Sequence, residues 1–302
     1  MPHQIFNNEK DMKDTYLILS LILLAGTMIA CEPVVTHYSM GGIIPADQLK
    51  LTVKATTEGG NQIVLANETP RCAGWWDYGI GIARSDRDTI IIPYMGTHTI
   101  TFKGMCDGGI VTTTRTVAVS KIDHAASPEW TMLAGSGTEG KTWTWEDDDD
   151  YYLDNISSDY QGAYGTGGYG NDYCSTWSGA DAGGSVSGID VPTDEEMVFD
   201  LNGGPNFTLR RTDGTVLQKG TFKFDMSATT ALSNGSLWAI GQITFTGASI
   251  MLPYGCDMSP SDTIHTFDII TISEDRMVLA YSAAGTPLEA WETAYFWCFK
   301  AK

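Results

Sequence analysis

The densest group of chemically capable side chains lies between Trp143 and Trp177. Nine aromatic residues fall there (Trp143, Trp145, Tyr151, Tyr152, Tyr160, Tyr164, Tyr169, Tyr173 and Trp177), with the acidic run Glu146 to Asp150 and the glycine-rich stretch QGAYGTGGYGNDYCSTW. Exposed indole and phenol faces stack on the axial C–H bonds of a sugar ring, while neighbouring Asp and Asn groups bond its hydroxyls. Tyr151, Tyr152, Tyr169 and Trp177, with Asp172, are therefore the candidate glycan-binding residues. Trp143 and Trp145 sit two apart on an expected strand and share one face, which reads as core.

Other chemistries find less support. Asp147 to Asp150 offer oxygen ligands to calcium, but the spacing does not fit an EF-hand, so calcium stays unassigned and no other cofactor is expected. A glycosidase needs two carboxylates about 5 Å or about 6.5–9.5 Å apart. Asp154, Asp172, Asp200, Asp225, Glu289 and Glu292 are too scattered to favour a pair. G-x-S-x-G, HExxH and phosphate-loop motifs are absent, and His37, His98, His124 and His265 have no partner near in sequence. No catalytic residue is assigned. With 37 acidic against 18 basic side chains the net charge is −19, which repels phosphate backbones and argues against nucleic acid as a partner.

Five cysteines follow Cys31, none in a C-x-x-C pair, so in an exported chain disulfides are expected over zinc. Cys72 and Cys106 fall in one candidate domain and are expected to pair across its sheets. Cys174, Cys256 and Cys298 leave an odd thiol in the other, with connectivity open.

The elements that must position these groups are strands. LTVKAT, QIVLAN, TIIIP, THTITFKG and TTTRTVAVSKID alternate or are β-branched, with Gly, Asn, Asp and Pro between them, as in an antiparallel sandwich. After residues 123–129, which read as a hinge ending near Pro128, come EMVFDL, NFTLRR, VLQKGTFKFDM, LWAIGQITFTGASIML, TFDIITIS, RMVLAYS and AYFWCFKAK. Asp213-Gly214 predicts a hairpin. The fold class is all-β: a smaller sandwich over 47–122, then a larger antiparallel β-sandwich or jelly roll over 130–302. Trp76 and Tyr94 are expected to fill the space between the first domain's sheets, with Trp75 on the opposite face of the strand.

Tyr16 to Ala30 is the only long apolar run, and at 15 residues it suits a secretory signal better than a membrane span. Met28-Ile29-Ala30-Cys31 resembles the bacterial lipobox, which implies cleavage before Cys31 and its lipidation. Residues 1–30 then form a lipoprotein signal peptide, with the true start at Met12, and 31–46 a tether. Removing 1–30 takes away two lysines and three acidic residues, leaving −18. Several acyl chains, at about 0.8 kcal/mol per buried CH₂, would hold the anchor stably.

Trp76-Asp77-Tyr78-Gly79, Pro93 to Phe102, Cys106-Asp107-Gly108-Gly109 and Thr116-Val117-Ala118-Val119 together resemble the PKD (polycystic-kidney-disease) repeat of the immunoglobulin-like class. The resemblance covers about 48–122 and implies an immunoglobulin-like spacer. A lipobox, a PKD-like spacer and a C-terminal β domain running from KTWTWEDD to EAWETAYFWCFKAK resemble the surface glycan-binding lipoproteins of Bacteroidetes polysaccharide-utilisation systems. That implies outer-membrane anchoring, exposure at the cell surface, a polysaccharide ligand and a glycan-transporter complex as partner. A lipid-anchored glycoside hydrolase and a structural or adhesive surface module are the alternatives.

Overall fold

The computed structural model describes residues 41–136, 139–146, 162–170 and 177–302. The expected signal, lipobox and lipidation site at Cys31 lie outside the described residues. Every described element lies within the compact unit Gly42–Lys302. The architecture is all-β, with one short α-helix and one 3-10 turn among the described residues.

Seven strands come first: β1 Leu51–Ala55, β2 Gln62–Asn67, β3 Cys72–Asp77, β4 Ile82–Ala83, β5 Arg87–Ile91, β6 Gly96–Cys106 and β7 Gly109–Val119. They form two antiparallel sheets, β1-β2-β5 and β4-β3-β6-β7, around a core that includes Ile63, Leu65, Trp76, Ile92, Ile100 and Phe102. Alternation along β3 buries Trp76 completely and leaves Trp75 half-buried on the outer face. Cys72 and Cys106 are bridged. They are cross-strand neighbours within one sheet, so the bond ties β3 to β6 and does not cross the sandwich as expected. Tyr94 also departs from expectation. It is only half-buried and packs, with Tyr78, against the second core, while Ile80 belongs to that core outright.

The segment read as a hinge is fastened. Asn61, fully buried, donates from Nδ2 to the carbonyls of Ile92 and His124, and its Oδ1 accepts from the backbone N–H groups of Asp123 and His124. The Asp123 carboxylate accepts from Thr57 Oγ1 at 2.6 Å and from the Asn61 N–H. These bonds, led by Thr57 and joined by His124 and Lys121, hold its carboxyl far below the usual range. Helix α1, Pro128–Ala134, follows at once, with Pro at its first turn where no amide hydrogen is needed. The tether ends earlier than expected too, since Ile44 and Ala46 pack on the first core.

The remaining strands are β8 Lys141–Trp145, β9 Tyr164–Gly168, β10 Ser178–Ala180, β11 Ser185–Val186, β12 Ile189–Asp190, β13 Glu195–Asp200, β14 Asn206–Arg211, β15 Val216–Asp225, β16 Thr230–Ala231, β17 Leu237–Ala239, β18 Gly241–Thr246, β19 Thr266–Ile272, β20 Arg276–Tyr281 and β21 Thr293–Ala301. Ten of them form one sheet, and β8 pairs with both β13 and β21. The ring β8-β13-β14-β15-β18-β19-β20-β21 is thus a closed, eight-stranded, antiparallel barrel of up-and-down order, where a sandwich or jelly roll was expected. Alternating large side chains fill the closed ring. The paired residues Phe199 and Phe207, Phe222 and Phe245, Leu279 and Trp297, and Trp145 and Phe299 all face inward and fill the interior. Trp143 and Trp145 are core, as their spacing predicted.

Both ends of the barrel are covered. At one, α1 lays Trp130 against Phe222 and Phe224, and Leu133 O accepts from Trp143 Nε1. At the far end the connection between β18 and β19 folds inward, burying Ile250, Met251, Cys256 and Ile264. There Leu252 O accepts from Trp297 Nε1 and Tyr254 O from Tyr164 Oη. Among the described residues the barrel is a packed core, so any ligand surface must lie outside it.

Candidate functional site

At the far end the sheet continues past the barrel. β9 takes over from β8 beside β21, and β10 pairs with β9, so β20-β21-β9-β10 extends beyond the closure. Register sets Tyr281, Tyr295, Thr166 and Ser178 in one row across these four strands. The Tyr281 and Tyr295 rings stack at 6.5 Å with 25° between their planes. Tyr295 Oη donates to Asp257 Oδ1 at 2.5 Å. Burial, then the bond to Asp257, pushes that phenol well above its ordinary range and keeps it a donor.

One row further out is Gly168, opposite Thr293. Two exposed indoles converge on it. A Cβ at Gly168 would meet Trp291 Cε3 at 2.8 Å and Trp177 Cζ2 at 3.1 Å, so the absence of a side chain is what admits both rings. Trp177 is 45% and Trp291 64% exposed. Each is fixed through its backbone: Trp177 N–H donates to Thr166 O, Trp291 N–H to Tyr169 O, and Tyr169 N–H to Glu292 O. Trp291 adopts φ +67, a left-handed conformation that costs a residue with a Cβ about 1 kcal/mol or more. Trp291 thus holds a large, mostly exposed indole against Gly168 on a strained backbone.

No family model matches the chain, and no curated protein matches it.

The residues predicted from sequence meet different fates. Trp177 is at the platform. Tyr169 is not a ligand surface: it is 1% exposed, its ring set edge-on to Trp238 at 4.8 Å, and Trp238 in turn packs on Phe296 outside the barrel. Its position at the turn after β9 directs the ring inward while its backbone holds Trp291. Tyr151, Tyr152 and Asp172 lie outside the described residues, as do Asp147 to Asp150. Glu146, grouped with that run, is buried and paired with Arg276 at 2.9 Å, which removes it from any solvated loop. Asp200 and Asp225 cap turns at the α1 end, accepting from Asn202 N–H and Ser227 N–H.

Cys256 is unbridged and buried, and burial raises its thiol pKa, so it is a poor nucleophile. Cys298 is disulfide-bonded. No group of three His, Cys, Asp or Glu placed to hold a metal occurs among the described residues, nor does a helix long and apolar enough to cross a membrane.

Trp291 was not among the residues singled out from sequence, because its exposure depends on a turn conformation. Its signal was local: a tryptophan between Glu289 and Glu292, outside the alternating run that follows.

Proposed function

We propose that this is a lipid-anchored cell-surface protein that binds a neutral polysaccharide on the Trp177–Trp291 platform, without catalysis. The observation that carries the reading is the pair of exposed indoles converging on Gly168, one of them on strained backbone. Two such rings give a sugar chain apolar faces to stack on, and Tyr281, Thr166 and Ser178, with the Asp257 carboxylate that the buried Tyr295 holds in place, offer hydroxyl-bonding groups on the same extension. Neighbouring carboxylates at Asp257, Glu289 and Glu292 suit an uncharged polymer over an acidic one.

In this reading Cys31 carries the acyl anchor in the outer membrane. The seven-stranded sandwich, a PKD-like spacer, holds the barrel away from the lipid, and bound glycan passes to a transporter complex. The bonds from Asn61 to Asp123 and His124, which fasten the start of the 123–129 segment, support a rigid spacer. Affinity electrophoresis and calorimetry against glucans, xylans and mannans test the binding. Retardation by at least one neutral polymer, lost in Trp177→Ala and Trp291→Ala, is expected; no retardation by any of them would end the proposal. Mass spectrometry of the mature N-terminus tests the anchor separately, with acyl groups on Cys31 as the expected result.

A further inference from the structure

The outer face of the β4-β3-β6-β7 sheet carries a groove of about 530 Å³ lined by Ala73, Gly74, Trp75, Ile82, Arg84 and Met105. It is distant in sequence from the platform and plays no part in the function proposed above. Met105, 63% exposed, and Ile110, directly opposite it on β7, extend the apolar surface.

The groove runs beside an unfinished strand edge. Tyr78 N–H donates to Gly81 O, and Trp76 pairs with Ala83, so alternate residues of β3 point their backbone groups toward β4. β4 stops at Ala83, and the chain then turns away, with Ser85 Oγ bonding Arg87 O. The next backbone pair on that flank belongs to Gly74, which no strand among the described residues covers; beyond it, Cys72 O is already taken by Asn67 Nδ2. A backbone N–H and C=O left open beside an apolar face is the arrangement that accepts an added strand.

Charge narrows the occupant. Arg84 borders the groove and Lys103 sits opposite Trp75, and neither has a carboxylate partner among the described residues, in a chain whose net charge is −19. We infer that this groove docks an extended peptide segment of a partner protein, apolar at alternate residues and carrying an acidic side chain, which prolongs the line of β4 and pairs with Gly74.

The probe is the acetylated, amidated hexapeptide Val-Thr-Val-Thr-Glu-Thr, whose valines and glutamate share one face of the strand, titrated against the intact chain carrying isotope-labelled glycine. A saturable shift of the Gly74 amide is expected at millimolar peptide. Trp75→Ala should weaken binding about tenfold and Arg84→Gln about threefold. A peptide N-methylated at alternate residues should not bind, and Trp291→Ala should bind as the parent does. An unmoved Gly74 amide, or equal binding of the N-methylated peptide, would overturn the inference. So would a dimer of the chain that Trp75→Ala turns into monomer, which makes a second copy the occupant, or a loss of polysaccharide binding in Trp75→Ala, which makes it glycan. Thermal melts of both variants, expected to match the parent, exclude unfolding as the cause.

Discussion

The sandwich and the barrel each bring tryptophan to the surface, by different means. In β3, Trp75 and Trp76 are adjacent, and strand alternation alone sends one outward and the other into the core. At the barrel's far end, Trp177 and Trp291 come from separate turns. They meet only because β9 pairs with β21 and because Trp291 accepts a left-handed backbone. The first arrangement follows from the strand itself. The second is held against local preference by long-range pairing, so the rim can lose its geometry without the fold being lost, whereas the sandwich face cannot.

The largest effect expected from breaking this contrast is in the barrel core. Trp145→Ala removes a ring packed on Phe299 at 4.9 Å and should cost about 3–5 kcal/mol, read as a fall in the denaturant midpoint for the whole chain. Opening the Cys72–Cys106 bridge with paired Cys→Ala substitutions releases a crosslink spanning 34 residues and should cost about 3 kcal/mol, seen mainly as early loss of the sandwich in hydrogen exchange.

Asn61→Ala should cost about 1–3 kcal/mol, because it strands the backbone groups of Ile92, Asp123 and His124. Proteolysis within 123–129, slow in the parent, should become fast, since the same bonds fasten that segment. The smallest effect concerns Asp268, whose carboxyl is pushed up by burial and only partly relieved by Gln242 Nε2 at 3.0 Å. Its neutral form is the one the fold favours. That contribution is complete below the ordinary carboxylate range, about pH 4, and is lost as pH rises through the raised value. Asp268→Asn should therefore stabilise the chain by up to about 1 kcal/mol at neutral pH and leave it unchanged at acid pH.

Period-two patterning made the all-β class and the inward Trp76, Trp143 and Trp145 legible, since each lies in an alternating run. Barrel closure was not legible. It depends on β8 pairing with both β13 and β21, a non-local choice that strand patterns do not encode. Tyr169 looked like a loop ligand because its neighbours are glycines, yet Trp238, far along the chain, provides a wall for it. Trp291 stands outside the alternating run, but its outward direction was not legible, because only the turn conformation sets it.

The proposed sugar platform rests on two exposed indoles at the barrel rim, of which Trp291 is held there at the expense of backbone strain. Trp291→Gly tests it directly, because glycine accepts φ +67 without penalty and removes the ring. Calorimetric titration with the tightest-binding neutral polymer, paired with a thermal melt, should show affinity reduced at least tenfold while the melting temperature holds or rises. Unchanged affinity with a lowered melting temperature would show that the ring serves stability and would contradict the account.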